Sequence, residues 1–193
     1  MRMLVSHSTR DTRVRVLWRF IDELQIALNV ADVPIQLVNV VSECGTKQVP
    51  DLPGELSSAT AGTDLTMMVL TQGYVDSMWC DDEMHGRAQS SCRDCPSHRL
   101  FPVRWRTYPC DELWSRSIEG WGVDLQDVMT DDFLDTIETQ LWEAGKRPEK
   151  WHQAIAATVA ALARLHAEIQ STCTREQCPR LVPDSTQIPR RLD

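Results

Sequence analysis

Apolar positions along the chain alternate between short continuous runs and longer stretches of helical period. "RMLVS" (residues 2–6) reads as a first strand, and "SHSTRD" follows it as a loop. Over residues 12–29, Leu17, Phe20, Ile21, Leu24 and Leu28 fall on one face of a helix, with Asp11 or Thr12 placed to cap it. "VPIQLVNVV" (33–41) is β-branched and reads as a second strand, and "SECGTKQVPDLPGE" (42–55) as an exposed loop. Residues 55–62 are read as one short helix, and "LTMMVL" (65–70) as a third strand buried on both faces. "TQGYVDS" is its exit loop, and a helix begins within "SMWCDDEMHG" (77–86). "RLFPVRW" (99–105) is a fourth strand that Pro102 is expected to make irregular, and "GVDLQDV" (122–128) a short edge strand. Two helices follow: residues 131–145, with Phe133, Leu134, Ile137 and Leu141 in phase, and residues 149–170, with Trp151, Ile155, Val159, Leu162, Leu165 and Ile169 in phase. The second is expected to pack on its own sheet.

Strands that alternate with helices, the strands short and apolar, predict a flavodoxin-like α/β fold. It is a doubly wound parallel sheet of about five strands with helices on both faces. In that order the first and third strands lie side by side, and ligands bind beyond their carboxyl ends. Those ends are "SHSTRD" and "TQGYVDSMWC". One domain over residues 1–170 is expected, with 171–193 as a flexible tail.

Composition narrows the classes. Hydrophobic residues at 42% and charged residues at 25% are ordinary for a globular domain, and no apolar run reaches the ~20 residues of a membrane span. A net charge of −8 speaks against nucleic acid as the main partner. Nothing near the start reads as a signal peptide, so a cytoplasmic location and reduced thiols are expected for the 7 cysteines. Cys92, Cys95 and His98 in "CRDCPSH" form one Cys-x-x-Cys with a nearby histidine, short of the four ligands a zinc site needs, and no metal is expected. No Walker loop, Gly-x-Gly-x-x-Gly or nucleophile elbow occurs.

"LVSHSTRD", "LTMMVLTQGYVDSMWCDDE" and "LFPVRWR" together resemble Toll/interleukin receptor (TIR) domains of bacterial type, over roughly residues 2–145. In the family's enzymatic members, the bond between nicotinamide and ribose in NAD+ is cleaved. The glutamate three residues after a Trp-Cys pair is catalytic there, which is Glu83 here. The resemblance implies an NAD+ glycohydrolase or cyclase of bacterial antiphage signalling, with NAD+ as substrate and no bound cofactor. It also implies activity completed by self-association, and a possible sensor or effector partner. Its other implication is a TIR interaction module without turnover. Where the family often has an acid after the second strand, this chain has Asn39, with Glu43 further on.

The residue types suit the chemistry. Nicotinamide leaves as a neutral molecule and needs no general acid, and the ribose left behind is oxocarbenium-like. One fixed carboxylate can stabilise that charge. Ser77 is placed to cap the helix that carries Asp81, Asp82 and Glu83 near its start, where the dipole favours negative charge. Trp79 and Glu83 share a face, so Trp79 can wall the pocket that Glu83 enters. His7 and Ser8 are candidates for ribose or phosphate contact, and Lys47 for the pyrophosphate. The plain alternatives are loop hydrogen bonding for His7 and Ser8, a solvated side chain for Lys47, and a solvated acidic helix start for Glu83.

Overall fold

A computed structural model of the chain describes residues 1–8, 13–39, 63–75, 100–105, 122–140 and 147–172. Five strands, β1 (Arg2–Ser6), β2 (Gln36–Val38), β3 (Leu65–Leu70), β4 (Leu100–Arg104) and β5 (Val123–Asp124), form one parallel sheet in the order β2-β1-β3-β4-β5. Four helices are described: α1 (Val14–Val30), α2 (Gln72–Val75), α3 (Asp131–Gln140) and α4 (Glu149–Thr172). This is the flavodoxin-like α/β arrangement. β1 and β3 are paired directly, with Met3 opposite Leu65 and Ser6 opposite Met68.

The strands obey the period of two. Met3, Val5, Leu65, Met67, Val69, Phe101 and Val103 meet α1 and α4 in one core, while Leu4, Met68 and Leu70 lie on the opposite face and are also buried. α1 turns Val16, Leu17, Phe20, Ile21, Leu24 and Leu28 into that core. Each such side chain contributes about 1.5–3 kcal/mol of gross burial free energy. Phe20 is the hinge of an aromatic group, edge-on to Trp105 at 4.9 Å and to Trp151 at 5.4 Å between ring centroids.

Several expectations need correction. The cap position of α1 is Arg13, whose side chain does not cap; Asp11 and Thr12 lie outside the described residues. The Arg13 guanidinium instead bonds Asp131, at 2.6 Å, and Asp135 on α3, which offsets a cation's poor fit to a helix amino terminus. β2 is three residues long rather than nine. Pro34 has no N–H to give a ladder, and Ile35 N turns back to Val33 O at 2.7 Å. β4 is a regular strand despite Pro102. The missing N–H of Pro102 faces the β5 side, and β5 begins only at Val123, opposite Val103. Gly122, at φ 148°, sits there with no room for a side chain, because a Cβ would come within 2.6 Å of Pro102 O. The expected exit loop after β3 holds the single turn α2, where Tyr74 N bonds both the carbonyl and the Oγ1 of Thr71 at 3.1 Å. α4 reaches Thr172, two residues into the expected tail, and its principal neighbour is α1 rather than the sheet. Leu141, the 55–62 helix, the helix within 77–86 and the tail from 173 lie outside the described residues. Among the described residues no helix is long and apolar enough to cross a membrane.

α1 and α4 are tied by Glu23. Its Oε1 accepts from Arg19 Nε and Arg147 Nε, each at 2.9 Å, and its Oε2 accepts from Trp151 Nε1 at 2.7 Å. Burial pushes the Glu23 carboxyl up, but the bonds from Arg147, Trp151 and Arg19 outweigh it and hold the group below its ordinary value. On α4, burial pushes the His166 imidazole below its ordinary value, and the positive chain terminus adds to the effect.

Both groups make stability fall on acidification, in separate windows. The unfolded chain protonates His166 first, so stability declines as pH drops below about 6.5, and the decline is absent in His166→Gln. The Glu23 contribution is present above the ordinary carboxyl range and is lost as pH falls through the lowered folded-state value. Glu23→Ala strands Arg147 and the Trp151 N–H, and is expected to cost about 1–3 kcal/mol at neutral pH. Urea unfolding of the three proteins from about pH 2.5 to pH 8 measures each effect.

Candidate functional site at the carboxyl edge

β1 and β3 run side by side and connect in opposite directions, so a crevice is expected beyond their carboxyl ends. At that edge the sequence changes from apolar to polar within one residue. Ser6 closes β1, and His7 and Ser8 follow it with 7% and 2% exposure. Thr71 and Tyr74, after β3, are buried beside them, and so is Asn39 after β2. The reason is register. A parallel sheet brings equivalent ends of its strands to one level, so three short polar segments distant in sequence meet there.

Three side-chain contacts among the described residues organise the cluster. Ser6 Oγ donates to the Tyr74 hydroxyl at 3.3 Å, which joins the end of β1 to the turn after β3. His7 Nε2 lies 3.2 Å from Asn39 Oδ1, and Trp18 Nε1 of α1 donates to the same nitrogen at 3.2 Å. The indole ring also stands edge-on to the imidazole at 6.4 Å. These two neighbours make opposite demands. Indole N–H only donates, so it needs a lone pair on Nε2, with the ring proton on Nδ1. The amide oxygen only accepts, so it needs the proton on Nε2. With Asn39 Oδ1 turned to the ring, His7 sits between two tautomers, each favoured by one neighbour.

Such a cluster can offer hydroxyl and imidazole groups to a ligand with ribose or similar polyol chemistry. Arg104 closes β4 at the same edge and bonds Asp124 of β5 at 3.4 Å, adding an ion pair two strands away from His7.

Of the residues expected at the site, His7 and Ser8 are at the predicted edge. Asn39, where the resemblance expects an acid, is brought to His7. Glu83, Trp79 and Lys47 lie outside the described residues, as do Glu43, Cys92, Cys95 and His98. Among the described residues no three His, Cys, Asp or Glu side chains are grouped to hold a metal ion. Sequence reasoning missed Trp18 and Tyr74. The signal for Trp18 was a tryptophan placed off the apolar stripe of α1; Tyr74 had none beyond its position in the exit segment. A cleft of about 480 Å³ lies elsewhere, by the amino ends of β1 and β2, where Met1, Arg2, Asn29, Pro34 and Gln36 line it together with three apolar residues and Gln25. That lining carries no carboxylate, thiol or imidazole.

The Ser6–Tyr74 bond is testable as a coupled pair. Ser6→Ala and Tyr74→Phe should each destabilise by about 1 kcal/mol, and the double variant by clearly less than the sum, in denaturant unfolding. Comparison of the sequence with models of known families and with curated proteins gives no match in either.

Proposed function

We propose that this chain is a TIR-type enzyme that cleaves the nicotinamide–ribose bond of NAD+. The observation that carries the reading is the direct pairing of β1 and β3, with a buried Ser6–His7–Ser8 segment at the shared carboxyl edge. A doubly wound sheet binds its ligand at such a switch point. In the sequence, Trp79, Cys80 and Glu83 follow the last residue of β3, Leu70, by 9, 10 and 13 positions.

In this reading the Glu83 carboxylate faces the ribose and stabilises the positive charge that grows on it as the C–N bond breaks. Nicotinamide departs with the bonding pair, as a neutral ring. Water then adds to the ribose carbon and loses a proton, giving ADP-ribose; attack by a nucleophile within the same molecule gives a cyclic product instead. His7 and Ser8 serve the ribose or phosphate, Trp79 walls the nicotinamide side, and Lys47 meets the pyrophosphate. Self-association of TIR units completes the site, in a cytoplasmic bacterial defence pathway with a separate sensor or effector.

The test is nicotinamide release from NAD+, followed by chromatography at high protein concentration. The wild-type chain is expected to release it, and Glu83→Gln and Glu83→Ala to do so about 100-fold or more slowly. Equal rates in wild type and variants would remove Glu83 from its role. No release by the assembled wild-type protein would replace the enzyme with a TIR interaction module.

A further inference from the structure

We infer that Gln25 is a positioning residue, which sets the contact between Asn39 and His7 by holding β2 from its outer edge. β2 pairs with β1 on one side only, through Arg2–Gln36, Met3–Leu37 and Leu4–Val38, and it ends the sheet. Gln36 N bonds Met1 O at 2.8 Å, so Gln36 turns its backbone groups toward β1. By the alternation of a strand, Ile35 and Leu37 turn theirs outward. The Gln25 side chain meets both. Leu37 N donates to its Oε1 at 2.6 Å, and its Nε2 donates to Ile35 O at 3.1 Å. One primary amide thus makes the pair of bonds that a further strand would make. Gln25 Nε2 also bonds Asn29 Oδ1 at 3.0 Å, one helical turn on, which fixes the side chain in this orientation.

Asn39 lies two residues beyond Leu37, and its oxygen is 3.2 Å from His7 Nε2. That distance is at the long end of the hydrogen-bond range, so a displacement of a few tenths of an ångström weakens it sharply. A strand of three residues has little pairing of its own to resist such a displacement. Gln25 and Trp18 lie seven residues apart on α1, which is two turns, so they project on the same side. Among the described residues, α1 therefore governs both groups that meet His7 Nε2: Trp18 touches the ring directly, and Gln25 acts through β2 and Asn39. The balance between the two His7 tautomers is set from one helix. This inference concerns the geometry at His7 and holds whatever the substrate.

The experiment is nitrogen-15 NMR of the His7 imidazole, assigned with His7→Gln, together with amide hydrogen exchange at Leu37. In Gln25→Ala, exchange at Leu37 should quicken at least tenfold, and the His7 population should move toward the Nδ1–H tautomer that Trp18 selects. In Trp18→Phe the population should move the opposite way, toward Nε2–H, with Leu37 exchange unchanged. Gln25→Glu keeps the acceptor for Leu37 but loses the donor to Ile35, so it should shift His7 in the same direction as Gln25→Ala by a smaller amount; it decides the matter if the alanine variant does not fold. Faster exchange at Leu37 with an unmoved His7 tautomer would overturn the inference and leave Gln25 a clamp on β2 alone. A shift of His7 toward Nε2–H in either Gln25 variant would overturn it as well.

Discussion

β1 has a parallel neighbour on each side, β2 on one and β3 on the other, and this double pairing decides where each polar group of the carboxyl edge falls. It depends on β1 being apolar on both faces. Met3 and Val5 meet α1 and α4, while Leu4 is buried on the other side. A central strand of an all-parallel sheet is covered on both faces, so an apolar run on both sides suits the position β1 occupies, and the crevice lies where the direction of connection reverses beside it. Ser6 is where the apolar run stops, and the polar cluster begins there.

α1 serves three neighbours from three sides of one helix. Its apolar stripe packs on the sheet and on α4. Glu23 gathers Arg19, Arg147 and Trp151 and ties the helix to the start of α4. Trp18 and Gln25 face the end and the flank of the sheet. Half-burial alone disfavours the Glu23 carboxylate, and the bonds donated by Arg147, Trp151 and Arg19 hold it charged.

The strand order was legible because it follows from physics that is local in sequence. "RMLVS" and "LTMMVL" are uninterrupted apolar runs, and they became β1 and β3 with the bounds the sequence implies. β2 was read too long because β-branched composition was counted without asking whether each residue could give a ladder bond; Pro34 cannot. Pro102 was read as a flaw for the converse reason, since its missing N–H matters only if a strand stands opposite, and β5 starts one residue later. The edge that holds the site could be named from topology, and His7 and Ser8 with it. Tyr74 could not, because Ser6 to Tyr74 spans 68 residues, and a contact at that separation leaves no period in the chain. Trp18 and Gln25 lie only 10 to 12 residues from their partners, but standing off the apolar stripe of α1 does not say which strand end each one meets.

The tie between Glu23 and Trp151 closes a loop of 128 residues. Loop-closure entropy grows slowly with length, so the equilibrium penalty is modest. The kinetic consequence is larger. On the ribosome, the apolar side of α1 that α4 will cover stays open until most of the chain has been synthesised, and high contact order slows the closing step. Phe20 and the Glu23 carboxylate wait for Trp151, which follows Glu23 by 128 residues, and this makes the nascent chain a natural client of chaperones that shield apolar surface.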